Sequence, residues 1–211
     1  MKQMNLGWSP SKLDGTEYKF QEIKNLKLPS QYSFINHLPP VLDQGETNMC
    51  VTYSLAAHID WNANMDFGTD RKDNKVNKNQ IYEIRTTPGD NGMTFKEALS
   101  FLKKKGVQTK VGVRTIQHYA LVGSEIQLKQ AIITNGPCVG GLMVYNFTSE
   151  FWRKRGGDQI LGGHAIAIVG WTEKGFIIRN SWGTDWGQKG YSILPYDEYN
   201  KLMLECWTII D

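Results

Sequence analysis

The sequence predicts an α+β chain in which helices dominate the first half and strands the second. Capping patterns of the form S/T-x-x-E/Q begin two stretches, at Thr94 and at Ser124. After Pro137 the apolar and β-branched residues fall in short runs separated by glycine, which is typical of strands. Helices followed by strands predict two lobes within one domain, residues 1–211.

Composition excludes several classes of protein. The 211 residues carry a net charge of only +3, and no basic run exceeds the triplet at 103–105, so a nucleic-acid binder is not expected. No apolar stretch is long enough for a membrane span or a signal peptide. Three widely spaced cysteines do not suggest a disulfide framework. These features predict a cytoplasmic protein in a reducing compartment.

The first helix is expected from about 49 to 63, because apolar residues recur there at helical spacing and alanines favour helix. Asn48 is a suitable N-cap for it. The polar stretch 66–78 predicts a surface loop. Pro39-Pro40 forbids helix, so the chain should approach Cys50 as an extended, turning segment.

Two further helices have their ends marked in the sequence. The helix after Thr94 has apolar residues at helical spacing, and we expect it to end at Gly106. The helix after Ser124 should continue to about Asn135, before Gly136-Pro137 stops it. The expected strands are 139–145, 165–171, 176–179, 191–194 and 207–210, with a hairpin connection at 173–175.

Among the cysteines, Cys50 is the candidate nucleophile. It opens a helix, whose positive end lowers the pKa of a thiol, and the thiolate is the reactive form. Cys138 and Cys206 lie in apolar strands and are expected to be small buried hydrophobes.

A nucleophilic cysteine needs a base, and His164 is the best of four histidines. His58 lies roughly 12 Å along the same helix as Cys50 and cannot reach the thiol. His37 and His118 have no companion polar residue at a useful spacing. His164 follows two glycines, and the next strand brings Asn180 back towards it. The hairpin is compatible with their contact but does not fix it.

These residues fall within motifs that resemble the papain-like cysteine peptidases. The stretch 180–183 reads NSWG, followed by WG at 186–187 and GY at 190–191, as in that family. The stretch 162–165, followed by 169–171, is similar to the histidine strand of cathepsin B-like members. Gln44-Gly45 and Cys50 have the spacing of the oxyanion glutamine and the nucleophile. The approach 38–45 is similar to that of bacterial and viral members.

The surroundings of Cys50 depart from the family pattern. The family signature is C-G-[SA]-C-[WY], whereas this chain has TNMCV at 47–51. Thr47 therefore replaces a cysteine that forms a disulfide in secreted relatives. Met49 and Val51 are unusual neighbours for the nucleophile.

The resemblance implies a papain-like two-lobed fold with the active site in the cleft between the lobes. Residues 41–123 would form mainly the helical lobe, and residues 1–40 and 124–211 mainly the β lobe. The implied reaction is peptide-bond hydrolysis, with peptides or proteins as partners and no cofactor or metal. A monomer is favoured.

The resemblance also implies the role of each site residue. Cys50 would attack as the thiolate, His164 would protonate the leaving amine, and Asn180 would orient the imidazole. Trp182 would shield that contact, or simply pack in the core. Gln44 and the Cys50 N–H would donate to the oxyanion.

Four residues are expected at the substrate, again through the resemblance. Gly92 and Met93 would lie along the substrate backbone, and Gly141 and Gly162 would line the main specificity pocket. Two glycines in its walls predict a bulky apolar side chain at the second position before the cut.

Two alternatives and one question about the beginning of the chain remain open at this level. An inactive relative could bind peptides, or the same Cys–His pair could transfer acyl groups. Residues 1–25 could form an extension over the body or the cleft. If this extension occludes the cleft, deletion of residues 1–20 should raise activity.

Overall fold

The computed structural model describes residues 5–68, 72–87, 89 and 91–211. The helices are α1 Cys50–Asp66, α2 Lys78–Tyr82, α3 Phe95–Lys104, α4 Glu125–Asn135 and α5 Tyr196–Leu202, with a short 3-10 helix at Ile35–His37. The strands are β1 Tyr32–Ser33, β2 Val107–Thr109, β3 Gly112–Arg114, β4 His118–Leu121, β5 Cys138–Val144, β6 Gly162–Thr172, β7 Gly175–Arg179, β8 Tyr191–Pro195 and β9 Glu205–Ile210.

Helix α1 begins at Cys50, but its N-cap is Met49, so the prediction of Asn48 was wrong by one position. The Met49 side chain makes no capping hydrogen bond. The Thr52 hydroxyl instead donates back to the Met49 carbonyl at 2.9 Å within the first turn. The following segment is more than a surface loop, because the buried Asn74 donates from its backbone N–H to the Asp60 carboxylate at 2.8 Å.

The two capped helices are confirmed. The Thr94 side chain and Glu97 form the reciprocal capping box of α3. Ser124 caps α4 by accepting from the Gln127 N–H, while the Gln127 side chain accepts from Gly123. Helix α4 ends at Asn135, as predicted, because Gly136 takes a positive φ of 92°.

The five strands expected after residue 137 are confirmed as β5 to β9. They join one sheet in the order β4-β9-β5-β6-β7-β8, and β1 also pairs with β6. Strand β4 lies within residues 41–123, which were expected to form mainly the helical lobe. It nevertheless belongs to the main sheet, because it pairs with the last strand, β9. Strands β2 and β3 form a separate hairpin in the helical lobe.

Two hydrophobic clusters fill the lobes and meet at α1 and β6. One cluster combines the sheet, α4 and Trp182. The other combines the residues of α1 and α3 with Trp8 and with Val139 and Ala165 from the sheet. Because α1 packs against β6, the start of the helix faces the start of that strand, which is where the candidate residues lie. Within the described ranges, no helix is long and apolar enough to span a bilayer.

Candidate active site

Cys50 is the first residue of α1, and its side chain is fully buried at the junction of the two lobes. Burial raises the pKa of this thiol to about 11, against hydrogen bonds from the backbone N–H groups of Ala165 and Gly7. Ala165 directly follows His164, so the sulfur lies beside the β6 backbone at the candidate base. In this form the cysteine is a neutral thiol.

His164 is held by Asn180 through a hydrogen bond of 2.7 Å from Nε2 to Oδ1. The same Oδ1 accepts from the Ser181 N–H at 2.7 Å, which identifies it as the amide oxygen. Nε2 must therefore carry the proton. The other nitrogen, Nδ1, is buried and has no hydrogen-bond partner among the described residues, so it is free to accept a proton.

Aromatic rings enclose the His164 imidazole. The Trp182 ring stacks on it with centroids 4.5 Å apart and planes at 29°, and Phe151 contacts it edge-on at 5.6 Å. Burial lowers the pKa of His164 to about 4, although the Asn180 hydrogen bond favours the charged ring. Both members of the Cys50–His164 pair are thus neutral in this structure.

The β6–β7 hairpin brings His164 and Asn180 together, and its strand register shifts along the way. The turn is at Glu173-Lys174, as predicted, with Thr172 opposite Gly175. The register shifts between Ile168 and Gly170, and Asn180 lies just beyond the end of β7. Asn180 reaches the imidazole from there, a detail that sequence spacing alone did not fix.

Gln44 lies next to Asn180 because the chain at 42–44 pairs with 181–183. Its backbone N–H donates to the Ser181 carbonyl at 2.8 Å. Its side-chain Nε2 donates to the Thr47 carbonyl at 2.7 Å and to the Asn5 carbonyl at 3.1 Å. A carbonyl from the beginning of the chain thus occupies one donor of the expected oxyanion hole.

Residues 5–9, which we call the cleft segment, run between the two lobes. Trp8 N–H donates to the Gly163 carbonyl at 3.2 Å on the β lobe. On the helical lobe, Met93 N–H donates to the Gly7 carbonyl at 2.9 Å, and Ser9 N–H donates to the Met93 carbonyl at 3.2 Å. The cleft segment therefore binds both walls through its backbone.

Glycines make room for this segment. A Cβ on Gly141 would lie 2.2 Å from the Trp8 indole, and a Cβ on Gly92 would lie 2.0 Å from the Gly7 carbonyl oxygen. A Cβ on Gly162 would lie 3.2 Å from the side chain of Leu6. All four residues expected at the substrate, including Met93, thus line the space that the cleft segment fills.

The remaining histidines and cysteines lie elsewhere. His58 is buried in α1, where it contacts the Pro137 carbonyl at 2.9 Å and the Asp211 carboxylate at 2.8 Å. His118 is exposed beside Lys103. Cys138 and Cys206 are buried, free thiols, as predicted. Over the described part of the chain, no group of three or more His, Cys, Asp or Glu side chains converges as metal ligands would.

Two features of the site were not predicted. Ser181 was recognised only as a letter of a motif, yet its hydroxyl donates to Gln44 Oε1 at 2.6 Å. The path of the cleft segment was not predicted either. The sequence around Trp8 is compatible with a course over the body of the protein and with one over the cleft.

Comparisons with known proteins relate this chain to cysteine proteases. The chain is 32% identical to a probable cysteine proteinase, 224L, of Invertebrate iridescent virus 6, over 43% of this chain and 29% of the relative. It is 27% identical to cysteine proteinase 3 of Entamoeba histolytica, over 82% of this chain and 64% of the relative. The chain therefore spans less than two thirds of either relative.

The fold has a solved counterpart in xylellain, a cysteine protease from Xylella fastidiosa. The two superimpose with a TM-score of 0.83 over 97% of this chain and 95% of that structure, at 23% identity. The family model described as papain family cysteine protease matches residues 31–206. Since this match covers most of the sequence, the chain belongs to the papain family of cysteine proteases.

Proposed function

We propose that this protein hydrolyses peptide bonds through Cys50, His164 and Asn180. The observation that carries the proposal is the orientation of His164. Its Nε2 proton is committed to Asn180, which leaves the lone pair of Nδ1 buried and unpartnered at the junction where the Cys50 sulfur lies. A base with one nitrogen fixed and the other unpartnered, at the junction that also holds a thiol, suits nucleophilic catalysis.

In the proposed reaction, the Cys50 proton passes to Nδ1 and the thiolate attacks the carbonyl carbon of the substrate. The resulting oxyanion collapses, the C–N bond breaks, and His164 gives its proton to the leaving amine. Water then attacks the thioester, losing a proton to His164, which returns it to the sulfur as the acid product leaves.

Gln44 supports the proposal as the oxyanion donor. One of its N–H bonds already donates to a peptide carbonyl, that of Asn5, at 3.1 Å. A substrate carbonyl in the same place would receive that donor, together with the N–H of Cys50 at the start of α1. The removal of one such donor typically costs about 3–4 kcal/mol in transition-state stabilisation.

We further propose that the structure is a covered form of the enzyme. Cys50, His164, Asn180 and Gln44 are all buried beneath or beside the cleft segment. The Gly7 N–H points at the sulfur. A sulfur in the plane of a peptide group is poorly aligned for attack on its carbonyl carbon, so the segment can occupy the cleft without being cut there.

The seat of Trp8 supports the expected substrate preference. Trp8 is 3% exposed, and its indole lies against Gly141, where any side chain at position 141 would overlap it. Phe95 lines the same space, with ring centroids 6.2 Å apart. A pocket that accommodates an indole should accept a bulky apolar side chain at the second position before the cut. A monomeric state and a cytoplasmic location stay predictions from the sequence.

A Cys50→Ala variant tests the proposal against the parent on fluorogenic dipeptides and on a protein substrate. Peptidase activity in the parent and its complete loss in the variant are expected. Activity that survives in Cys50→Ala would exclude the mechanism. Product analysis with an added amine distinguishes hydrolysis, which leaves a free carboxylate, from acyl transfer, which would overturn the proposed reaction.

A further inference from the structure

The Gln44 side chain is held by partners that determine which way its amide faces. Nε2 contacts the carbonyl oxygens of Thr47 at 2.7 Å and of Asn5 at 3.1 Å, and carbonyls only accept. The NH₂ group must therefore face them, and Oε1 must face Ser181. It follows that the Ser181 hydroxyl donates to Oε1, at 2.6 Å.

The two N–H bonds of the Gln44 amide have separate tasks. One is committed to the Thr47 carbonyl, which belongs to the body of the protein. The other donates to Asn5 of the cleft segment and becomes free when that segment leaves. The contacts to Thr47 and Ser181 do not depend on the cleft segment, so they can keep the second N–H directed at the substrate oxyanion.

Thr47 closes the turn that carries this arrangement. Its hydroxyl donates to the Gln44 carbonyl at 2.7 Å, and its N–H donates to the same oxygen at 3.3 Å. Gly45, inside the turn, has a positive φ of 60°. Thr47 occupies the position where the family signature has a cysteine that is cross-linked in secreted relatives. Here hydrogen bonds within the turn fix the same segment.

We propose that Thr47 and Ser181 are positioning residues for Gln44, and that the hydroxyl-closed turn at Thr47 takes the place of the missing covalent link. Ser181 acts on the amide directly, and it is 5% exposed, so water cannot easily replace its hydroxyl. Thr47 is more exposed and acts through the turn. Its contribution should therefore be the smaller of the two.

The inference rests on the proposed peptidase activity, and double-mutant cycles test it. All variants are made in the full chain with Trp8→Ala, so that the anchor of the cleft segment is absent throughout. Ser181→Ala should lower kcat about 10- to 100-fold with KM nearly unchanged, and Thr47→Val about 3- to 10-fold. In a Gln44→Ala background, neither should lower kcat by more than about twofold further.

Conservative variants and a control separate positioning from folding. Thr47→Ser keeps the hydroxyl and should restore kcat to within about twofold of Thr47. Thr134→Val, at an exposed position, removes a hydroxyl that donates to the Gln130 carbonyl at 2.9 Å within α4, and it should leave kcat unchanged. If Ser181→Ala fails to fold, the Thr47 variants in both backgrounds carry the same test.

Losses that add to that of Gln44→Ala would overturn the inference, because residues acting through Gln44 can have no effect without it. A loss in Thr134→Val equal to that in Thr47→Val would overturn it as well. The failure of the proposed function looks different, since activity would then survive Cys50→Ala. If Cys50→Ala is inactive but Gln44→Ala retains full kcat, the assignment of Gln44 fails and the positioning roles fail with it.

Discussion

The cleft segment, residues 5–9, and the stretch that follows it, residues 12–25, are held to the protein in different ways. The cleft segment is fixed by backbone hydrogen bonds to both lobes and by the buried indole of Trp8. The following stretch leaves large side chains in solvent, with Leu13 48% and Tyr18 70% exposed. The cover over the active site therefore depends on a few residues at the cleft. We call the stretch 12–25 the tether.

The tether is attached mainly through polar contacts. Just before the tether, the Ser11 N–H donates to the buried Glu205 carboxylate at 2.9 Å, and within the tether Asp14 and Glu17 contact Lys96. Residues 18–20 add a short parallel pairing to the edge strand β4, next to Leu121. The Lys96–Asp14 pair is exposed and contributes little, so substitutions in the two regions should differ sharply in effect.

Trp8→Ala should have the largest effect of those considered. Truncation of a buried Trp costs about 3–5 kcal/mol, and here the loss falls on the covered form, because Trp8 is in solvent once the segment leaves. We expect peptidase turnover to rise by about 100-fold or more, limited by complete opening. Initial rates on a fluorogenic dipeptide measure the rise. Tyr18→Ala, in the tether, is the control and should change turnover by less than about twofold.

An activity of Trp8→Ala no higher than the parent, in a folded protein, would show that the cleft segment does not limit access. An equal rise in Tyr18→Ala would contradict the contrast between the two regions.

Acid should also open the cleft, through His164. Its pKa is about 4 in the covered form and should return towards 6.5 in solvent. Because this base has a lower pKa in the covered form, the covered form keeps its full stability above pH 6.5. Its stability decreases as the pH falls from 6.5 to about 4, and it stays constant at lower pH. Between pH 7 and pH 5 this group should shift the equilibrium about 20-fold towards the open form.

The shift is measured by fluorine NMR of 5-fluorotryptophan at position 8, assigned with Trp8→Phe, in Cys50→Ala to prevent self-cleavage. The same titration in a variant that also carries His164→Asn should lose its response between pH 7 and 5. The pKa values of Asp14 and Glu17 lie below their ordinary values of 3.8 and 4.5, held down chiefly by hydrogen bonds from Thr16 and Lys96 respectively. The tether should therefore respond only below about pH 4.5. An unchanged titration with His164→Asn would exclude His164 as the cause.

Gly141→Ala should act on both the cover and the substrate. The new methyl group would lie 2.2 Å from the indole of Trp8, so it displaces the cleft segment and also shortens the specificity pocket. We expect higher turnover of substrates with a small side chain at the second position before the cut. The preference for a bulky apolar side chain there, measured as a ratio of kcat/KM values, should fall about 10-fold.

The neighbouring Gly140→Ala is the control for this change. Its methyl group would face the flexible side chain of Met203, on the other side of β5, and should leave the ratio unchanged. A Gly141→Ala variant that keeps the parent's preference would place the pocket elsewhere.

The sequence predicted the features that depend on neighbours along the chain. The caps at Thr94 and Ser124 and the turn at Glu173-Lys174 are of this kind. The contact between His164 and Asn180 was predicted through a recognised motif, but the shift in strand register between them was not. Pairs far apart in sequence, such as Ser181 with Gln44, left no local pattern.

The path of the cleft segment is the clearest case of what could not be predicted. Gly7 is required there because a Cβ would lie 1.9 Å from the Asn48 carbonyl oxygen, a contact set by the packing of both lobes. In the sequence, the same glycine is equally compatible with an exposed turn.

Among the substitutions that are expected to change activity, Lys96→Met should have the smallest effect. Its ammonium group contacts the exposed Asp14 at 3.1 Å and the buried side chain of Glu17 at 2.6 Å, and the exposed pair is screened by salt. We expect turnover to rise by less than about threefold at low ionic strength, and the difference from the parent to become smaller in high salt. Lys104→Met, on the same helix, controls for the loss of charge. A rise as large as that of Trp8→Ala would mean that the tether and the cleft segment release together, and the cover would then be one cooperative unit.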